Sequence, residues 1–336
     1  MIIGSIKEEN TTENRTPITP QTSLELKKLG HTILLEKSIG QKSYFKDEDY
    51  LSSSPKFLSP QEIYQQADII LQINPPSPKF LKILKSQQLL IADFTNTDIS
   101  KIPLKSTIIR LEKVPRSSIA QEFDILSSQS LVRGYSSALY ALSLSPIMAP
   151  TLFTPSTSIK QINTLIIGAS LTGLEASTIL KLNGANTFIL DKDHHKEELI
   201  KSVEAKFIHF TPNLDITSIL QDKNIIISSA YSNNFTPTII TPKHLKKLPT
   251  GTTIIDTTIK NIKIPPTHPI LSSIIFHRNT KFERLTPKTA STLWAHNMLN
   301  LIKILSPTPN TINFNHPSIS PMLFTHPTQR RIKCIY

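Results

Sequence analysis

Thr164-Leu-Ile-Ile-Gly168-Ala-Ser170-Leu-Thr-Gly173-Leu-Glu-Ala-Ser-Thr-Ile-Leu180 is the stretch from which the fold is read. An apolar, β-branched run enters Gly168, a short turn leads to Gly173, and a helical pattern follows. Strand, glycine turn and helix in this order are the start of a βαβ unit of the kind that holds a dinucleotide. The first glycine permits the tight turn, and the last lets the helix pack closely on the strand. The amides at the helix N-terminus, with the helix dipole behind them, suit a pyrophosphate. The next apolar run ends at Asp191, near the offset of about 20 residues at which such units carry a ribose-binding carboxylate. A carboxylate there accepts from the ribose hydroxyls and repels a 2′-phosphate, which favours NAD over NADP. Ser170 stands where the pattern has its middle glycine, and its Cβ crowds the path of the pyrophosphate. The residues alone leave two readings open: a nucleotide site, or a βα turn that binds nothing.

Outward from this stretch, short β-branched runs alternate with longer periodic segments, as in βα units around parallel sheets. Ile33–Leu35, Ile69–Leu71, Leu89–Ile91 and Ile108–Ile109 read as strands of a first set, with helices over Ser23–Leu29 and Pro60–Gln66. Thr164–Ile167, Thr187–Leu190, Phe207–His209, Ile225–Ile227, Thr252–Ile255 and Ser273–Phe276 read as strands of a second set. Ser117–Leu144 has few breakers and predicts one or two long helices bridging the sets, and Leu293–Leu305 predicts an amphipathic helix holding Trp294. The expected fold is α/β: two Rossmann-like domains with parallel sheets, joined by long helices, with a cleft between them. From Ser306 on, Pro, Thr, Asn and His dominate, which predicts a segment wrapped over the surface.

At 336 residues the chain is long enough for two domains. Its single cysteine, Cys334, excludes an intrachain disulfide and a thiolate zinc site, and favours a reducing compartment. The net charge is +12, but basic residues come as pairs such as Lys27-Lys28, Lys246-Lys247 and Arg330-Arg331. Without longer basic runs or interleaved aromatics, no nucleic-acid partner is expected. No apolar run is long enough to span a bilayer, and the acidic, polar start is unlike a signal peptide, so no membrane insertion is expected. His194 and His195 are adjacent and are not expected to share a face. No metalloprotease or facial-triad spacing occurs, and no metal is expected.

A second segment, Val114-Pro-Arg116-Ser-Ser-Ile-Ala-Gln121-Glu-Phe-Asp124-Ile-Leu-Ser127-Ser-Gln-Ser130, gathers a guanidinium, an amide, a carboxylate and hydroxyls on a Pro-led loop that enters a helix. An Arg116–Asp124 pair could serve only to stiffen the loop. Alternatively, Arg116 and Gln121 hydrogen-bond a nicotinamide or its ribose while Asp124 orients Arg116.

Together, PRSSIAQEFDILSSQS and GASLTG resemble the NAD(H)-binding α subunit of the proton-translocating NAD(P) transhydrogenases. The opening IGSIKEENTTENRTPITP is similar to the N-terminus that this family shares with alanine dehydrogenase. The resemblance spans about residues 2 to 305. It implies an alanine dehydrogenase/transhydrogenase-like N-terminal domain over 1–125 plus 295–336 and an NAD-binding Rossmann domain over 126–294. It implies that Arg116 and Gln121 contact the nicotinamide and its ribose, with Asp124 and Ser127 completing a catalytic group. Ser117 and Ser118 would bind the cofactor beside Arg116 and Gln121, Gly168, Ala169, Ser170, Leu171 and Gly173 would hold the pyrophosphate, Asp191 would hold the adenosine ribose, and Lys192 and Tyr231 would complete the nucleotide site.

The implied reaction is hydride transfer between NAD(H) here and NADP(H) on a partner subunit, coupled by a membrane-embedded partner to proton translocation. It also implies a homodimer, peripheral at the cytoplasmic face of the inner membrane through its partners. Gln72 replaces the lysine that alanine dehydrogenase needs, and Thr95 stands near the position of its histidine. Thr257–Lys263 replaces an acidic, glycine-rich stretch, Arg278 follows His277, and Lys192–Asn224 is too short for the family's mobile loop. These departures leave a non-catalytic, transhydrogenase-like subunit as the first alternative, and an alanine dehydrogenase as the less favoured second.

Overall fold

The computed structural model describes residues 1–95, 97–99, 106–231, 236–265, 267–309 and 311–324. Cys334, the Arg330-Arg331 pair and the tail beyond 324 lie outside the described residues. The chain divides into two compact units, Met1–Gln129 with Arg284–Tyr336, and Ser130–Glu283. The boundaries expected from the sequence fall at 125/126 and 294/295. The contacts move them because the first turn of one long helix and the whole of another belong to the first unit.

The first unit is built on β1 (Ile2–Ser5), β2 (Thr32–Leu35), β3 (Lys56–Phe57), β4 (Ile69–Leu71), β5 (Leu89–Ala92) and β6 (Thr107–Arg110). Its sheet order is β3-β2-β1-β4-β5-β6, all parallel, and the late strand Leu323–Phe324 adds antiparallel to β6. Successive side chains go to opposite faces. Ile33, Leu35, Ile69, Leu71, Leu89, Ile91 and Ile109 enter one core, while Leu34, Ile70, Leu90 and Ile108 enter the other. Burial on both faces makes these strands continuous apolar runs. The helices α1 (Pro20–Lys28), α2 (Pro60–Gln66) and α3 (Pro78–Ile83) each start with proline at their first position, where its missing N–H has no helical partner to lose. Thr19 and Ser59 cap the first two through their side chains. The central strand β1 is not among the strands expected from the sequence, because four residues at the chain start show no period of their own.

The long helix α4 runs over Ile125–Leu144, not from Ser117. Residues Ile119–Phe123 form a 3-10 turn, and Asp124, with ψ 91°, stops it before the α-helix starts.

The second unit begins within α4, passes through a short antiparallel hairpin, β7 (Leu152–Phe153) with β8 (Ser158–Ile159), and enters a parallel sheet. That sheet holds β9 (Asn163–Ile167), β10 (Asn186–Asp191), β11 (Lys206–His209), β12 (Ile225–Ser228), β13 (Thr253–Asp256) and β14 (Ile275–Arg278). Between them lie α5 (Leu171–Leu182), α6 (Glu197–Ser202), α7 (Ile216–Leu220) and α8 (Pro242–Leu245). The order is β11-β10-β9-β12-β13-β14, the doubly wound Rossmann arrangement. Ile166, Ile227 and Ile255 pack with Ala138, Ala176 and Leu180 on one face, and Leu165, Ile226 and Ile254 with Leu220 and Leu245 on the other. β14 starts two residues later than expected because Ser273 closes the preceding 3-10 turn through a bond to the Ile270 carbonyl.

The final helix α9 (Pro287–Leu305) returns to the first unit and begins six residues earlier than its apolar pattern indicates. It buries Trp294, Met298, Leu301 and Leu305 in that core. Among the described residues no helix is long and apolar enough to cross a membrane.

Candidate functional site

In the second unit the chain order reverses between β9 and β12, and ligands of such sheets sit beyond the carboxyl ends of the strands at that point. The turn Gly168–Gly173 leaves β9 there. Gly168 has φ +97°, and a Cβ built on it would stand 2.6 Å from the Ala230 Cα. A Cβ on Gly173 would stand 2.1 Å from the Gly168 carbonyl oxygen. Both glycines are therefore required by the fold of the turn itself. Ser170, by contrast, has φ −80° and ψ 168°, an ordinary conformation for any residue. The glycine that is missing is the one whose only task is to let a ligand approach.

Ser170 caps α5. Its Oγ accepts from the Gly173 amide at 3.1 Å and donates to Ser229 Oγ at 3.1 Å. The amides of Leu171 and Thr172 lie in the first helical turn, where a helix supplies no acceptor of its own. Helix-start donors and a turn that admits no further Cβ at either glycine fit a pyrophosphate.

Asp191 ends β10 with its carboxylate at this turn. Oδ2 accepts from the Ala169 amide at 2.6 Å and from Lys196 Nζ at 3.2 Å, and Oδ1 accepts from the Asp193 amide at 2.9 Å. The Ala169 amide thus holds Asp191. Lys192 and Tyr231 are both exposed.

The wall opposite the turn was not legible in the sequence. Ser229 Oγ donates to the Gly168 carbonyl at 2.9 Å. Asn261, fully buried, clamps Ala230 from both sides, accepting from its amide and donating to its carbonyl, each at 3.0 Å. Asp256, also fully buried, accepts from Ser228 Oγ at 2.6 Å and from Arg278 Nε at 2.8 Å. Arg278, odd in the sequence, here neutralises a buried carboxylate and reaches the Ile262 carbonyl. Serine, alanine and asparagine are too generic for a motif, and only the neighbouring of strands marks these positions.

In the first unit, Arg116, Ser117, Ser118 and Gln121 are exposed on the loop before α4. Buried Ala120 and Phe123 anchor that loop, and Asn297 and Asn300 of α9 donate to the Glu122 carbonyl. Asp124 does not orient Arg116. Its carboxylate accepts from the Leu126 and Ser127 amides at 2.9 and 3.1 Å and from Ser127 Oγ at 2.5 Å. The expected Arg116–Asp124 pair is replaced by a helix cap, since amides within three residues reach the carboxylate more readily than a side chain eight residues away. Among the described residues the side chains of Arg116 and Gln121 have no partner, so the loop is fixed while its guanidinium and amide are offered outward.

Deeper in the first unit lies a buried ionic group. Glu13 accepts from Arg15 at 2.7 and 2.8 Å and from Arg284 at 2.9 Å, and Arg15 lies over Trp294, 5.2 Å from the ring centroid, with Gln129 as a further partner. Burial works against the Glu13 charge, but the bonds and charge of Arg15 with the charge of Arg284 hold its carboxyl below the ordinary value. Burial pushes the half-buried Glu8 carboxyl nearby up to about 7, against the hydrogen bonds it accepts from Asn74 and Ile73. Gln72, where a lysine was considered, is buried and accepts from Tyr64 Oη at 2.7 Å.

The histidines differ from expectation. In the 3-10 turn His194–Lys196 the rings of His194 and His195 lie 4.0 Å apart, and ligand atoms of Asp193, His194 and His195 come within 4.8 Å of one another. Adjacency separates side chains on an α-helix, but not in this short 3-10 turn.

Family models for the alanine dehydrogenase/PNT N-terminal and C-terminal domains match residues 4–133 and 137–332. The chain is 29% identical over 291 residues to the first portion of a divided NAD(P) transhydrogenase subunit alpha from Rickettsia prowazekii, covering 76% of each. It is 29% identical over 215 residues to NAD(P) transhydrogenase subunit alpha of Cereibacter sphaeroides, covering 62% of this chain and 41% of that longer protein. The crystal structure of transhydrogenase from Sinorhizobium meliloti superposes with a TM-score of 0.87 at 20% identity, over 97% of this chain and 99% of that one.

Proposed function

Because the chain belongs to the alanine dehydrogenase/PNT family, we propose that it is the NAD(H)-binding subunit of an NAD(P) transhydrogenase, passing a hydride between NAD(H) held here and NADP(H) held by a partner subunit. The observation that carries this reading is the Gly168–Gly173 turn, sterically closed to a Cβ at both glycines and ending in the donor amides of Leu171 and Thr172. Those amides would hold the pyrophosphate, and Asp191 the adenosine ribose. The exposed Lys192 and Tyr231 would flank it, and Arg116 and Gln121, with Ser117 and Ser118 beside them, would serve the nicotinamide end. Asp124 and Ser127 act on this group by fixing the start of α4. When bound, the dinucleotide supplies the hydride chemistry. The chain's residues bind and orient it, and no general acid or base is needed.

Partner subunits, one binding NADP(H) and one embedded in the membrane, follow from this reading, as do a homodimer and a place at the cytoplasmic face of the inner membrane. A second reading, a subunit that keeps the fold without turnover, draws on residues 192–224. The structure fills them with α6, β11, α7 and short turns, leaving no long loop to cover the site.

The test is calorimetric titration of the full chain with NADH, then mixing with the NADP(H)-binding subunit of a transhydrogenase. Hydride exchange, slowed in Gln121→Asn, is expected. Binding without exchange would select the second reading, and folded protein that binds no nucleotide would overturn both.

A further inference from the structure

Three groups able to ligate a metal meet just after β10. The carboxylate of Asp193 and the rings of His194 and His195 bring donor atoms within 4.8 Å of one another, and the two ring centroids are 4.0 Å apart. Both rings are exposed, and among the described residues neither has a hydrogen-bond partner. Asp193 Oδ1 caps the 3-10 turn by accepting from the His195 amide at 3.1 Å, and the Lys196 amide donates to the Asp193 carbonyl at 3.2 Å. The turn that carries all three groups is thus set before any ion arrives, and Asp193 Oδ2 remains to ligate. His209, on the neighbouring strand β11, adds a third imidazole, its centroid 6.0 Å from that of His194. Its Nε2 lies 3.1 Å from the Lys192 carbonyl oxygen. A carbonyl only accepts, so Nε2 carries the proton and Nδ1 the lone pair. Along this stretch the carboxylates of Asp191, Asp193, Glu197 and Glu198 outnumber the ammonium groups of Lys192, Lys196 and Lys201. Lys196 pairs with Asp191, and Lys201 with Glu197 and Glu198. The balance suits a cation.

We propose that Asp193, His194 and His195 form a surface site for a divalent transition metal of the zinc class. Zinc binds imidazole nitrogen at about 2.0–2.1 Å and carboxylate oxygen at about 2.0–2.2 Å. Donors of one ion therefore stand about 3–4 Å apart, a spacing that exposed side chains reach from the present one by small rotations. Two nitrogen donors and one oxygen suit zinc, nickel or copper, whereas magnesium and calcium take oxygen ligands. Three protein ligands leave a fourth position open, and His209 stands beside it. This site is independent of the reading of the Gly168–Gly173 turn, because none of its ligands belongs to that turn.

Zinc titration of the full chain, free of any polyhistidine tag and in competition with a chromogenic chelator, tests this, with circular dichroism to establish folding of each variant. The wild type should bind one zinc per chain in the micromolar range. His194→Ala and His195→Ala should each weaken binding by about tenfold or more. Asp193→Asn, which keeps an oxygen for the His195 amide, should weaken it while the turn stays folded. Excess magnesium should leave the zinc in place. Absence of saturable zinc binding to the folded wild type would overturn the proposal. Undiminished affinity in the double variant His194→Ala, His195→Ala would do the same, by placing the metal on other surface histidines, and displacement by magnesium would refute ligation through nitrogen.

Discussion

Ser170 offers the sharpest separation of scaffold from ligand contact, because two replacements cost similar stability and differ only in a Cβ. Its Oγ accepts from the Gly173 amide and donates to Ser229. Ser229 keeps its bond to the Gly168 carbonyl without it. Ser170→Ala loses the cap at a cost of about 1 kcal/mol. Ser170→Gly loses only a few tenths through the cap, because water reaches the freed amide, and about 0.5–1 kcal/mol through the greater freedom of the unfolded chain. Urea unfolding should therefore place both variants about 1 kcal/mol below the wild type. The backbone at Ser170 is extended, so glycine gains nothing there conformationally. The crowding Cβ, however, is removed only in Ser170→Gly. NADH should bind that variant more tightly by about threefold to tenfold, or about 0.7–1.4 kcal/mol, and Ser170→Ala no more tightly than the wild type. If Ser170→Gly bound NADH no better than Ser170→Ala, the Cβ would not be the obstacle, and the account of the missing glycine would fail.

Gly173→Ala should destabilise the protein by about 2–4 kcal/mol in urea unfolding, since its Cβ would lie 2.1 Å from a backbone carbonyl oxygen and 2.6 Å from Ser229 Oγ. An unchanged midpoint would contradict the close packing of α5 on β9. Glu8 predicts a pH dependence: its folded value of about 7 lies above the ordinary 4.5, so the native state keeps a proton that the unfolded chain has released. Its contribution is complete below pH 4.5 and is lost as pH rises through 7, about 3 kcal/mol at most and about 1–2 after allowance for the partial exposure of the residue. Glu8→Gln should flatten the stability profile between pH 5 and 8, and equal slopes in variant and wild type would refute the shift.

Local pattern and tertiary context divided the work in this chain along physical lines. Runs such as Ile225–Ile227 and Leu89–Ile91 declare themselves as buried parallel strands, because both faces must be apolar whatever their neighbours are. The glycine turn was equally plain, since φ +97° at Gly168 and a 2.1 Å approach at Gly173 are demands of the chain on itself. The strand β1 was not plain: a four-residue strand takes its identity from β2 and β4 on either side.

The same distinction holds at the site. Asp191 and Arg116 were marked by type and spacing. What they do depends on partners that sequence distance hides: Asp191 meets Ala169 and Lys196, and Asp124 turns to its own helix instead of to Arg116. Asn261, Asp256 and Arg278 became a wall of the crevice only when β12, β13 and β14 were laid side by side. By itself the sequence determined the two α/β sets, the nucleotide turn and the family resemblance, because backbone conformation and burial pattern are local properties. The partners of each carboxylate were decided by the tertiary structure, because a hydrogen bond is settled by whichever donor the fold brings within about 3 Å.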